Sequence, residues 1–154
     1  MVNILCYTLQ DKYKEFILQL SNSSQYAIRI LSYMALHKES KLLNATQLAE
    51  ALQIPYKFLT KIMTEIVKSG LVVSIRGRDG GYKFEKPTSE IMVNEILSIF
   101  HDSIPDEQCV LGIGFCNGLC KCALHDQWME PKHLMQKMFQ ESSLEDIAGK
   151  GCKF

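Results

Sequence analysis

The stretch from Asn44 to Tyr82 is punctuated more tightly than any other part of the chain, and that punctuation leaves few folds open. Asn44, with Gln47 three residues on, has the pattern of a capping box, in which each side chain accepts from the other residue's backbone N–H. It opens a short helix over Ala45–Leu52, with Leu48, Ala49 and Leu52 turned inward. Gln53-Ile54-Pro55 must then turn, because a residue before proline is steered out of the helical region. Pro55 suits the first position of the next helix, where a missing N–H costs nothing. That helix is predicted to run to about Ser69, with Phe58, Leu59, Ile62, Ile66 and Val67 on its apolar face and Gly70 as its stop. Two strand-like runs follow, Leu71–Arg76 and Tyr82–Glu85, joined by the glycine-rich tip Gly77-Arg78-Asp79-Gly80-Gly81.

The flanks add helices. Tyr26, Ala27, Ile30, Leu31, Met34 and Ala35 recur at helical spacing, from Ser23 to about His37. Beyond Pro87, a helix is expected over about Glu90–Phe100, capped by Thr88 or Ser89, then a loop from Asp102 to His125. A long helix over about Asp126–Gln140 carries Trp128, Leu134, Met135, Met138 and Phe139 on one face, and Ser143 caps a short last helix, Leu144–Ala148. The chain therefore reads as mainly α with a small β-hairpin. Residues 20–88 form a winged helix-turn-helix domain, 89–154 hold the loop and the last helices, and 1–19 are an N-terminal extension or the product of a start site set too early.

Charge separates the same two halves. Lys+Arg and Asp+Glu are both 17, yet residues 21–88 hold ten basic and five acidic side chains, and residues 89–154 hold five basic and ten acidic. A basic module joined to an acidic one points to a polyanion partner for the first. No segment is apolar enough to cross a membrane, and Asp11, Lys12, Lys14 and Glu15 interrupt any secretory signal, so a cytoplasmic location is expected. There, six cysteines read as metal ligands, redox groups or buried side chains rather than disulfides. A nucleotide-binding fingerprint, a G-x-S-x-G motif and a convincing catalytic triad are all missing, so the chain does not read as an enzyme.

Two helices joined by a tight turn can brace the second in the major groove of double-stranded DNA. The second here carries Tyr56, Lys57, Thr60, Lys61 and Thr64 opposite its apolar stripe. Arg76 and Arg78 stand among the glycines of the hairpin tip, placed for a phosphate or the minor groove. Any one of these cations could be an ordinary solvated side chain; the ordered set points to DNA. The DNA-contacting residues are expected to be Tyr56, Lys57, Thr60, Lys61, Arg76 and Arg78.

The acidic half holds Cys109, Cys116, Cys120, Cys122 and His125 in a glycine-containing loop. Its spacing is C-x6-C-x5-C-x2-H, with Cys120 as an extra thiol in the second gap. Thiolates with an imidazole suit the iron of an iron–sulfur cluster, and zinc accepts the same donors. A metal-free thiol switch, Cys116 with Cys120 or Cys122, is the third reading, and spacing does not separate the first two. His37, His101 and His133 have no clustered partners in the sequence and read as solvated or locally bonded. Two classes of function stay open: a ligand-switched DNA-binding regulator, or a small iron–sulfur or zinc redox protein for which the helices are scaffold. The basic recognition helix and wing favour the first.

Over about Leu20–Ala148 the chain resembles the Rrf-two family of bacterial winged-helix transcription regulators, of the IscR/NsrR type. The resemblance rests on Ser24-Gln25-Tyr26-Ala27-Ile28-Arg29, Ile54-Pro55-Tyr56, Ser69-Gly70-Leu71-Val72, Arg76-Gly77-Arg78-Asp79-Gly80-Gly81-Tyr82 and the Cys109/Cys116/Cys122/His125 set. It implies a homodimer built on a long C-terminal dimerisation helix, a pseudo-palindromic operator, and DNA affinity set by the state of a cluster. His125, three residues after Cys122, is similar to the IscR arrangement and favours 2Fe-2S over 4Fe-4S, with Cys120 as alternative ligand. The first gap is one residue longer than in IscR. Relatives with a 4Fe-4S cluster recruit an acidic residue where Gln25 stands here, which argues against that use.

Overall fold

The computed structural model describes residues 20–37, 42–102, 104, 109, 111 and 121–149. Its order is α1 (Asn22–Leu36), α2 (Ala45–Leu52), α3 (Tyr56–Lys68), β1 (Val72–Ile75), β2 (Gly81–Phe84), a 3-10 turn at Thr88–Glu90, α4 (Val93–Ile99), α5 (His125–Glu141) and α6 (Leu144–Gly149). This is the mainly helical, winged architecture expected from the sequence. The extension at 1–19 lies outside the described residues. The described residues divide into two compact units, one within residues 21–102 and 137–149, the other within Leu20 and residues 104–136.

In the first unit, α1, α2 and α3 close around Ile30, Leu31, Leu48, Leu59, Ile62, Met63 and Ile66, all buried. The capping box of α2 forms as its spacing demands: Asn44 Oδ1 accepts from the Gln47 N–H at 3.0 Å and Gln47 Oε1 accepts from the Asn44 N–H at 2.9 Å. The turn into α3 is made by Gln53 in the left-handed region, φ 54°, a conformation that costs a non-glycine residue about 1–2 kcal/mol. Gln53 offsets part of that cost by donating from Nε2 to the Glu50 carbonyl at 2.7 Å. Arg29 locks the same corner: its guanidinium lies over Tyr26 and donates to the Leu52 carbonyl at 3.3 Å, capping the C-terminal end of α2. Tyr26 in turn meets Phe58 edge-on, with ring centroids 5.3 Å apart.

β1 is shorter than its sequence pattern by one residue at each end, and β2 keeps its length but starts one residue earlier. β1 and β2 pair antiparallel from Val72↔Phe84 to Ile75↔Gly81, leaving Arg76 and Glu85 just outside. A third segment joins it, because Leu43 bridges Tyr82 and accepts its N–H at 3.0 Å. Gly81 is required by that approach: a Cβ there would stand 2.7 Å from the Leu43 carbonyl oxygen. Gly70 ends α3 as expected, at φ 80°.

α4 differs from expectation. It starts at Val93, not Glu90, because Pro87 leads into the 3-10 turn and Ile91–Met92 are extended. Their backbone is taken by a distant segment: Leu144 N–H donates to Ile91 O at 2.7 Å, Val93 N–H to Ser142 O at 2.9 Å, and Met92 bridges Ser143. Neither Thr88 nor Ser89 caps it; Met92 holds that position without a side-chain bond. Ser143 does cap α6, with Oγ accepting from the Asp146 N–H at 3.2 Å. α6 then packs on α1 and on the 3-10 turn, placing Leu144 and Ala148 in the same core.

Candidate nucleic-acid interface and cysteine loop

α3 buries Leu59, Ile62, Met63 and Ile66 and turns Tyr56, Lys57, Lys61 and Thr64 outward. Its first turn has no side-chain cap and no acid. The Pro55 carbonyl takes the Phe58 and Leu59 N–H groups, so the Tyr56 and Lys57 N–H groups point out of the helix end. With the positive end of the helix dipole, that is a place for a phosphate. α1 and α2 are closed by contrast, by Ser21 and by Asn44 with Gln47. Thr60 is half-buried and its hydroxyl donates back to the Lys57 carbonyl at 3.0 Å, while Thr64 donates to Thr60 at 2.7 Å. Thr60 is thus partly occupied by its own helix.

The fold sorts the basic side chains of this unit. Arg29 is bound to Leu52 and Tyr26, Lys68 pairs with Glu65 at 2.8 Å, and Lys86 pairs with Glu95 at 2.7 Å. Lys57, Lys61, Arg76 and Arg78 are exposed and, among the described residues, none forms an ion pair. Lys83, which sequence reasoning passed over, shares that state; its outward place on β2 was readable from the strand alternation. The wing and the start of α3 are within electrostatic reach of each other. Burial pushes the Tyr82 hydroxyl above its ordinary value of 10.0, and the neighbouring Tyr56 pushes it further the same way.

In the second unit, Cys109 is buried, Cys122 half-buried and His125 buried. The Cys122 carbonyl accepts the His125 N–H at 3.0 Å, so one tight turn leads from the cysteine into α5. Lys121 and Asp126 pair across the same turn at 3.4 Å. Gln136 ties the start of the loop to α5, donating to the Ile104 carbonyl at 2.9 Å. Cys116 and Cys120 lie outside the described residues, and neither Cys109 nor Cys122 is joined in a disulfide. Among the described residues no three His, Cys, Asp or Glu side chains gather as a metal set. The donors that are described suit a centre held by thiolate and imidazole. In the same unit the Trp128 indole N–H is buried without an acceptor.

Residues 20–150 match the family model of Rrf2, iron-dependent transcriptional regulators. The chain belongs to the Rrf2 family. It is 31% identical over 129 residues to an HTH-type transcriptional regulator of Aquifex aeolicus, covering 82% of this chain and 89% of that one. It is also 31% identical over 131 residues to the transcriptional regulator NsrR of Oceanobacillus iheyensis, covering 84% and 89%. Over 113 residues it is 31% identical to IscR of Cronobacter sakazakii, covering 73% and 69%. Among solved structures it is similar to CymR, the global cysteine regulator of B. subtilis, with a TM-score of 0.75 at 19% identity over 88% of this chain and all of that one. It is also similar to T. potens IscR, with a TM-score of 0.67 at 18% identity, covering 88% and 93%. The protein is therefore a DNA-binding transcriptional regulator rather than an enzyme. No helix among the described residues is long and apolar enough to cross a membrane.

Proposed function

We propose that this chain is a cytoplasmic, homodimeric regulator whose affinity for a pseudo-palindromic operator is set by an iron–sulfur cluster. The observation that carries the DNA face is the sorting of cations: Lys57, Lys61, Arg76 and Arg78, predicted to meet DNA, are exposed and, like Lys83, form no ion pair among the described residues. Tyr56, Lys57, Thr60 and Lys61 would lie toward the major groove, with Arg76 and Arg78 on the flanking backbone or minor groove. Support for a dimer comes from α5, where Leu134 and Met138, one turn apart, are 61% and 52% exposed. A second copy of α5 would cover them.

Cys109, Cys116, Cys122 and His125 would hold the cluster, 2Fe-2S rather than 4Fe-4S, with Cys120 as alternative ligand. Buried Cys109 and His125 and the donor chemistry support this set, as do the relatives named NsrR and IscR. When bound, such a cluster supplies a charge that changes with redox state and that is lost when the cluster is lost. The chain's part is to order the loop around its ligands and to give the ordered state a different affinity for DNA.

The test is anaerobic reconstitution, with iron and sulfide assayed, followed by binding of holo and apo protein to duplexes selected from a random pool. Cys109→Ala, Cys116→Ala and Cys122→Ala should each lose the cluster. Cys120→Ala should keep it, and His125→Cys should keep iron with a shifted spectrum. Loss with Cys120→Ala but not with His125→Ala would make the ligand set four cysteines. Zinc without sulfide would replace the cluster by a zinc site, and metal-free protein whose DNA affinity follows thiol oxidation would replace it by a thiol switch.

A further inference from the structure

A buried N–H without an acceptor is rare in folded proteins and costs about 1–3 kcal/mol where it occurs. Trp128 Nε1 is such a group, in a half-buried residue of the loop-bearing unit. It stands three residues after His125 on α5, and side chains three apart on a helix are neighbours on one face, with Cβ atoms about 5–6 Å apart. Its backbone is satisfied, since the Trp128 N–H donates to the Leu124 carbonyl at 2.9 Å, so the orphan is the ring alone. Buried Cys109 belongs to the same unit. The geometry points to a role for the ring: Trp128 donates its indole N–H to a sulfur of the metal centre, a ligating thiolate or a bridging sulfide. It is a positioning residue for the charge on that sulfur rather than a ligand. The inference rests on the cluster reading above and extends it. A hydrogen bond to sulfur stabilises the more negative, reduced state, so Trp128 raises the potential of the centre.

Trp128 is the only tryptophan in the chain, which makes the test clean. Its fluorescence should be strong in apo protein, quenched in reconstituted protein and restored by chelation. Two changes remove the N–H: Trp128→Phe, and biosynthetic replacement of the ring by benzothienylalanine, which keeps its shape. In both, the holo midpoint potential should fall, and the shift of the iron–sulfur stretching bands between H2O and D2O should shrink. The benzothienyl protein should melt at an unchanged or higher temperature as apo protein, because no bond is lost there. A protein that takes up iron and sulfide but keeps its potential and isotope shift after both changes overturns the role of Trp128 alone. A wild-type protein that takes up neither iron nor sulfide overturns the cluster reading together with this one.

Discussion

α3 and α5 use their side chains in opposite ways. α3 buries Leu59, Ile62, Met63 and Ile66 and sends its lysines to the surface. In α5 the buried residues are His125 and Lys132, while Leu134 and Met138 stand exposed. Exposing large apolar side chains together is costly unless something outside the chain covers them. α3 is finished by its own chain and is free to present a charged face. In the proposed reading, a metal centre would engage His125 at the start of α5, and a second copy of the helix would cover Leu134 and Met138 further along.

The largest effect expected from this contrast is on stability. Met63→Ala empties a fully buried site and should cost about 2–5 kcal/mol in denaturant unfolding, whatever the protein concentration. Met138→Ala, on the exposed side of α5, should cost little in a dilute chain and act only where unfolding depends on concentration. Leu134→Glu with Met138→Glu should convert a dimer to a monomer in sedimentation without lowering the monomer's helix content. An equal, concentration-independent loss for Met63→Ala and Met138→Ala would erase the contrast.

The next effect concerns the outward face of α3 and the wing. Arg78→Ala, Arg76→Ala, Lys57→Ala and Lys61→Ala should each weaken DNA binding. Each lost phosphate contact should lower the slope of log affinity against log salt by about 0.9. Lys68→Ala, whose amine is already held by Glu65, is the control and should leave both unchanged. A Lys68 effect as large as that of Lys61 would mean that internal pairing does not mark the DNA-facing cations.

The smallest effect is alkaline. The Tyr82 hydroxyl titrates above 10.0 in the folded chain, for burial first and Tyr56 second, so folding favours its protonated form. The stability it contributes is complete below pH 10 and is lost as pH rises through the raised value. Tyr82→Phe should therefore flatten the fall in melting temperature above pH 10 while leaving the neutral value nearly unchanged.

Local signals were legible where one short stretch contains both the cause and the effect. Asn44 and Gln47 sit three residues apart and need nothing else to close a helix end. Gly70 and the apolar spacing from Leu59 to Ile66 act in the same way, while Pro55 stands one place outside α3, as its N-cap, rather than at its first position. Partners far along the chain were not legible. Arg29 reads as one more cation until the Leu52 carbonyl, 23 residues away, is set before it. Gly81 reads as part of a loose tip until the Leu43 carbonyl closes on it. Met63 falls outside the stripe drawn from Phe58, Leu59, Ile62, Ile66 and Val67, yet it is fully buried while Phe58 and Val67 are only partly so. At the cysteine loop the donor types and their spacing were readable, but the burial of Cys109 and His125 and the orphaned Trp128 N–H were not.

By itself, then, the sequence determined which segments form helices, where α2 opens and α3 stops, which residues could carry charge to DNA and which could hold a metal. Those properties follow from backbone sterics, capping and periodicity, all of which act within a turn or two of chain. Tertiary structure alone decided which cations are consumed internally, where α4 starts, and that α6 completes the core beside α1. Residues 142–144 bond to Ile91 and Val93 and so hold Ile91–Met92 extended, some fifty residues earlier, and an element boundary set by so distant a partner has no local trace.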